Sequence, residues 1–283
     1  SDTWIDNEPA QRAHEALGFE LVDRCVNYRK ALGPVPSPRE APLYGHDLAR
    51  LHHRHFGSTA EAAAHELLRR LRGQGTISGT VIDLACGSGR LARHLGDAGF
   101  GVLGIDISPA MLELARLTAP RARFEEGSLW DVDLPPAVAL AAVGEAFNYA
   151  CPGTDPSLQI LEERLGAAAR ALPTGGLLLF DVAGPGRSGP AGFRQRVWHD
   201  EGSVLLMAER EAAGRLERSV ETFVPEGTLY RRALERHQLV LYRPEEILEA
   251  LHRTGFSAEE RGTYGPPMAP LPGWHVFVAE RRS

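Results

Sequence analysis

The chain has 283 residues, 43% hydrophobic and 24% charged, enough to bury one large core in one or two domains. Its net charge of −6 argues against a nucleic-acid partner, which requires a basic face. No apolar run approaches the roughly 18 residues of a membrane span, and the N-terminal SDTWIDNEPAQ is too polar and acidic for a secretory signal.

Residues 1–75 predict a helical preface, broken by Gly33-Pro34-Val35-Pro36-Ser37-Pro38, with an amphipathic helix from Ala60 to Leu71 that ends near Gly73. His52-His53-Arg54-His55 does not predict a metal site, because neighbouring helix positions point in different directions. Cys25, Cys86 and Cys151 are widely spaced, without metal-type pairing, and fit a reducing cytoplasm.

Thr80–Leu84 predicts a short buried strand that runs into Gly87-x-Gly89-x-x-Ala92 and a helix from Arg90. Strand, glycine turn and helix start form a site where backbone N–H groups meet a nucleotide-like ligand. Asp83 narrows the choice. A carboxylate beside the turn repels the pyrophosphate of NAD but suits the ammonium and sulfonium of S-adenosylmethionine. Cys86 reads as a small residue that a tight turn tolerates, since nothing near it in sequence would activate a thiol.

The second strand is Gly101–Asp106, and Ser108-Pro109 starts the next helix as N-cap and first helical residue. Asp106 lies 17 positions past Gly89, where a carboxylate accepts hydrogen bonds from ribose hydroxyls. The other reading, a cap for the following helix, competes with Ser108. A third strand, Ala122–Glu126, ends at Gly127-Ser128; a fourth, Val138–Val143, is continuously apolar. A helix over Ser157–Leu172 stops at Pro173-Thr174-Gly175-Gly176, and Leu177–Val182 is the fifth strand.

After the loop Pro185–Pro190 the pattern turns antiparallel, with strands expected at Gly192–His199, Ser203–Arg210, Arg215–Val224 and Tyr230–Leu241. A helix, Pro244–Arg253, and strands Ser257–Arg261 and His275–Arg281 close the chain. The expected fold is α/β, a doubly wound mostly parallel sheet. Its parts are an N-terminal helical lid (1–75), a Rossmann-like cofactor-binding core (76–186), an antiparallel β insertion (187–242), and a final helix and strands that complete the core (243–283).

VIDLACGSG, GIDISPAML, Gly127-Ser128-Leu129, GEAFNY and LPTGGLLLFDV together resemble the class I S-adenosylmethionine-dependent methyltransferases, from about Gly79 to Val182 and again in the last helix and strands. The resemblance is to a small-molecule subgroup with an antiparallel insertion after the fifth strand. That subgroup often carries a YRR…E.H…LY run, here Tyr230-Arg231-Arg232-Ala233-Leu234-Glu235-Arg236-His237, then Leu241-Tyr242. It implies S-adenosylmethionine as cofactor and S-adenosylhomocysteine as product. It also implies that Asp83, Ala85, Gly87 and Gly89 hold the methionine part and Asp106 the ribose. Ile107 then packs on adenine, Gly127, Ser128 and Leu129 border its edge, and Gly144 and Glu145 line the sulfonium side.

Asn148 and Tyr149 would face the acceptor, with Tyr44 and Arg231 as further acceptor contacts. His237 is either a base for that acceptor or a half-buried structural histidine; Trp198, Tyr230 and Tyr264 read as core or rim. The Pro-Pro-aromatic run of adenine N6-methyltransferases is missing, and Cys151-Pro152 reverses the Pro-Cys of cytosine C5 enzymes. The expected activity is methylation of a nitrogen or oxygen of a small molecule in the cytoplasm, with no metal, nucleic acid or membrane as partner. Two alternatives are an aminopropyl transferase using decarboxylated cofactor, whose turn usually has an acidic residue that GSGR lacks, and a noncatalytic protein that only binds the nucleoside.

Overall fold

The computed structural model describes Ala16 and residues 43–151 and 153–283. The helices expected before Gly33, the Gly33–Pro38 break and Cys25 lie outside the described residues. Two helices come first, α1 (His46–His55) and α2 (Gly57–Gly73). The alternating core follows: β1 (Thr80–Leu84), α3 (Arg90–Asp97), β2 (Gly101–Asp106), α4 (Pro109–Thr118), β3 (Arg123–Glu126), β4 (Ala139–Ala142), α5 (Leu158–Ala171) and β5 (Leu177–Ala183). A meander of β6 (Phe193–Asp200), β7 (Ser203–Ala212), β8 (Arg215–Glu226) and β9 (Leu229–Val240) leads to α6 (Pro244–Arg253), β10 (Phe256–Arg261) and β11 (Trp274–Arg281).

The larger sheet has the order β10-β11-β5-β4-β1-β2-β3. Strands β1 to β5 pair in parallel, and β11 runs antiparallel to both β5 and β10. This is the doubly wound, mostly parallel α/β sheet that the sequence predicts. Its central strands β4 and β5 read as nearly unbroken apolar runs because successive side chains enter two covered faces, whereas the edge strands β3 and β10 are mostly polar. Ile82, Leu84, Leu140, Leu178 and Phe180 pack with Leu161 and Leu165 of α5 and Ile247 and Leu251 of α6. Val81, Ala139, Leu177 and Leu179 face the other way, against Leu67 and Leu71 of α2 and Leu91 and Leu95 of α3.

The smaller sheet is β6-β7-β8-β9, antiparallel throughout. Leu205, Met207 and Val220 on its inner face pack with Leu48 and Leu51 of α1. Its strands run up to two residues longer than the pattern suggests at β7 and β8, since paired backbone continues past the last inward apolar residue. The register places Arg194, Glu209, Arg218 and His237 directly opposite one another, one polar row across four strands. Beyond β4, Tyr149 pairs with Leu239 in an isolated bridge, which holds the end of β9 against the segment after β4. Among the described residues no helix is long and apolar enough to cross a membrane.

Candidate functional site

The carboxyl edge of the parallel sheet carries the glycine turn. Gly89, at φ 76, is the N-cap of α3 and lies so close to α4 that a Cβ would stand 3.0 Å from the Ala115 Cα. Gly87, at φ 53, is the opposite case: a Cβ there would meet nothing within 4 Å among the described residues. The turn therefore offers bare backbone to a ligand. Asp106 braces it, with Oδ2 accepting from Gly87 N–H and Oδ1 from Ser108 N–H, each at 2.8 Å. Helix α1 closes on the same turn. His53 Nδ1 lies 2.8 Å from Ser88 Oγ, and Arg90 donates through Nε and Nη2 to the His53 carbonyl at 3.1 and 2.6 Å.

Asp83 is 2% exposed, and its Oδ2 has no hydrogen-bond partner among the described residues. Burial, and then the charge of Asp106, push its carboxyl up to about 8. A buried acid with an idle oxygen beside an open turn suits a cationic group.

At the end of β4 the backbone turns left-handed at Gly144 and Glu145 (φ 89 and 62). Asp181 of β5 enforces this, accepting from Gly144 N–H at 2.8 Å and Glu145 N–H at 2.6 Å, and from the Tyr264 hydroxyl and the Trp274 indole. Burial lifts Asp181 to about 6 against those donors. Glu145 is ion-paired with Arg187 and Arg218. Burial alone would raise its carboxyl, but Arg218 and Arg187 bring it down to about 2. Arg218 also donates to the Tyr149 hydroxyl at 2.7 Å and to Glu209 at 2.8 and 3.0 Å. Tyr149 and Tyr44 share a hydroxyl hydrogen bond of 2.8 Å.

His237 ends the polar row and is 1% exposed. Its Nε2 lies 2.9 Å from Glu235 Oε2, and Glu235 also accepts from the N–H groups of Tyr44 and Gly45 at 2.7 and 2.9 Å. A carboxylate only accepts, so it places the ring proton on Nε2 and leaves a lone pair on Nδ1. That Nδ1 is buried without a partner among the described residues. The rings of Tyr44 and Tyr149 stand 5.2 and 5.6 Å away. Burial, followed by Arg218 and His237, holds the neighbouring His52 down at about 3, so it stays neutral.

Residues 81–176 match the profile of a methyltransferase domain family. The protein named "Putative methyltransferase YqeM" of Bacillus subtilis (strain 168) is 28% identical over 190 residues, 63% of this chain and 73% of its own. Over residues 81–176 the chain carries a methyltransferase domain, on the seven-stranded fold of the class I S-adenosylmethionine-dependent methyltransferases. The methyltransferase shares its fold with the sugar N-methyltransferase KedS8 from Streptoalloteichus sp ATCC 53650 (24% identity, TM-score 0.68, covering 94% of this chain and 100% of that one). It shares it also with SAM-bound CalS10, an amino pentose methyltransferase from Micromonospora echinaspora (20% identity, TM-score 0.65, 82% and 96%). Its cofactor is S-adenosylmethionine.

The structure groups Tyr44, Tyr149 and His237 but removes two expected acceptor contacts of the methyltransferase. Asn148 is wholly buried, and its amide is spent on backbone: Nδ2 donates to the carbonyls of Ala183 and Val240, and Oδ1 accepts from Ala183 N–H. It clips β5 to β9 and is not available to a substrate. Arg231 lies at the surface, paired with Asp47 of α1 at 2.8 Å and with Glu226; Arg231→Ala should leave the methyl-transfer rate unchanged in a labelled-methyl assay. His237 is fully buried, not half-buried. Trp198 and Tyr264 are packed, and Tyr230 is exposed. Among the described residues no cluster of His, Cys, Asp or Glu could hold a metal ion.

Sequence reasoning missed Asp181, Glu209, Arg187 and Arg218. Asp181 could have been found as the one acid inside the apolar run LLLFDV, because a charge on a covered strand needs donors. Asp106 also does more than the sequence suggests, since it caps Ser108 N–H in addition to facing the turn. Asp106→Ala should weaken cofactor binding by about 1.5–3 kcal/mol and also lower the unfolding free energy, as Gly87 and Ser108 lose their acceptor. Calorimetric titration and urea unfolding of one preparation read the two losses separately.

Proposed function

We propose that this methyltransferase methylates a nitrogen or oxygen of a small molecule, an amine foremost, with His237 as the base. One observation carries this reading: the buried His237 Nδ1 has no partner among the described residues, while Glu235 holds the opposite nitrogen. The sugar and amino pentose substrates in the names of KedS8 and CalS10 favour an amine.

The residues at the turn fit the cofactor, given the idle Asp83 oxygen and the open face of Gly87. Bound S-adenosylmethionine would supply an electrophilic methyl group on a sulfonium. Asp83, Ala85, Gly87 and Gly89 would hold its methionine part, Asp106 the ribose, and Ile107, Gly127, Ser128 and Leu129 the adenine. Gly144 and Glu145 would line the sulfonium side through backbone, since the Glu145 carboxylate is engaged by two arginines. His237 Nδ1 takes the proton that the acceptor must lose, and Glu235 stabilises the imidazolium. The faces of Tyr44 and Tyr149 favour an approaching ammonium. Helix α1 would close over the turn as a lid, 187–242 would form the wall of the acceptor chamber, and 76–186 with 243–283 the cofactor-binding body. The thiols of Cys86 and Cys151, unpaired among the described residues, suit a reducing cytoplasm.

The test is incubation with methyl-labelled S-adenosylmethionine and separate pools of amino sugars, simple amines, phenols and alcohols. Label should appear on the nitrogen of an amine-bearing compound. Label only on hydroxyls would move the reading from nitrogen to oxygen, and label only in added nucleic acid or protein would overturn it.

A further inference from the structure

The polar row and the loop after β5 hold more cations than they need for each other. Arg187, Arg194, Arg196 and Arg218 surround two carboxylates, Glu145 and Glu209. Glu211 is nearby but serves the backbone of Gly186 and Ser188 and the Ser188 hydroxyl; counting it still leaves positive charge in excess. Two guanidinium donors, Arg187 Nη1 and Arg196 Nε, are buried with no acceptor among the described residues. Arg187 itself is only 6% exposed. Burial lowers the Arg196 pKa, Glu209 opposes this, and Arg194, Arg187 and Arg218 add to it, so the cations crowd one another. The Arg196 guanidinium is steadied over the Trp198 ring at 5.3 Å.

A buried cation with idle donors is unfavourable unless an anion completes it. Guanidinium forks match the oxygens of carboxylate and phosphate. The surplus lies beside the acceptor chamber, because Arg187 and Arg218 share Glu145 and Arg218 touches Tyr149.

We propose that the acceptor carries an anionic group, a carboxylate or a phosphate, that docks on Arg187 and Arg196, apart from the atom that is methylated. This rests on reading the His237 chamber as the acceptor site. The anion would anchor the molecule by the polar row and leave its reacting atom to His237 and the tyrosines.

Inorganic phosphate and acetate are the probes, each titrated against the full chain at ionic strength held constant with sodium chloride, with thermal unfolding as readout. A saturable rise in Tm is expected. Arg196→Gln, at a side chain 36% exposed, should weaken the apparent affinity at least about tenfold, the loss of a charge-assisted pair. Arg187→Gln should do the same, and where it does not fold, Arg196→Gln carries the test. A response to phosphate alone assigns a phosphate; one to acetate, with or without phosphate, assigns a carboxylate. A response no larger than that to chloride, or one unchanged in Arg196→Gln, overturns the proposal. The readout needs neither cofactor nor acceptor, so its failure leaves the His237 reading standing, and the failure of His237 as base leaves the anion response intact.

Discussion

His237→Ala should lower turnover by about 10²–10⁴-fold, the usual worth of a general base, while the dissociation constant for S-adenosylmethionine stays the same. The imidazole touches Glu235 and the two tyrosine rings, none of which belongs to the glycine turn. Stability should fall modestly, because Glu235 keeps the Tyr44 and Gly45 N–H groups when the ring is gone. His237→Asn is the companion variant: it offers Glu235 a donor but cannot accept a proton at the position of Nδ1. Both variants should be slow if His237 is the base. If it is structural, His237→Ala lowers Tm while its folded fraction keeps the native single-turnover rate, and that result would sink the base assignment.

Affinity for S-adenosylmethionine should rise about tenfold per pH unit from pH 6.5 toward pH 8, then level off. The apo carboxyl of Asp83 is pushed up to about 8, so below that pH it holds a proton that a cationic ligand must displace. Calorimetry in buffers of different ionisation enthalpy should show about one proton released near pH 7. Asp83→Asn should bind more weakly at pH 8 and show no slope. The sign for stability is the reverse. A raised acid pKa stabilises the fold fully below the unfolded value, near 4, and this is lost as pH climbs to about 8, roughly 1.4 kcal/mol per unit. His52, kept neutral by a pKa of about 3, acts in the opposite direction below its ordinary value of 6.5. Asp181, whose midpoint is about 6, is about nine-tenths ionised one pH unit higher. The upper part of the binding window, from about pH 7 to 8, therefore reports chiefly on Asp83. A binding curve flat over that window in the native protein would refute the coupling.

The cofactor half of the site was legible because its signals are local. VIDLA followed by a Gly-x-Gly turn specifies strand, turn and helix within 15 residues, and Ser108-Pro109 does the same for the next unit. Residues at the ends of parallel strands converge on one edge whatever the details of packing. The acceptor half was legible only in part. Asn148 looked like a substrate contact since it follows β4, yet the close approach of β5 and β9 consumes its amide. Arg231 sits in the exposed first part of β9, four positions before Glu235, and turns to Asp47 at the surface.

Sequence by itself determined the layered α/β body, the glycine turn with Asp83 and Asp106, and the alternation of the four added strands. These depend on periodicity and turn chemistry, which are properties of contiguous residues. Only the tertiary structure decided which inward residues of β6 to β9 face one another. A shift of one residue in any pairing would send His237 or Arg218 to the other face. The observed register aligns Arg194, Glu209, Arg218 and His237, and the Tyr149–Leu239 bridge brings that row to the end of β4. The charges then settle by proximity: Arg218 reaches Glu145 and Tyr149, and Glu235 reaches both His237 and the Tyr44 backbone, partners separated by up to 191 positions along the chain. Contacts of that range follow from packing the two sheets together, because burial forces each charge to find its partner in whatever strand lies opposite.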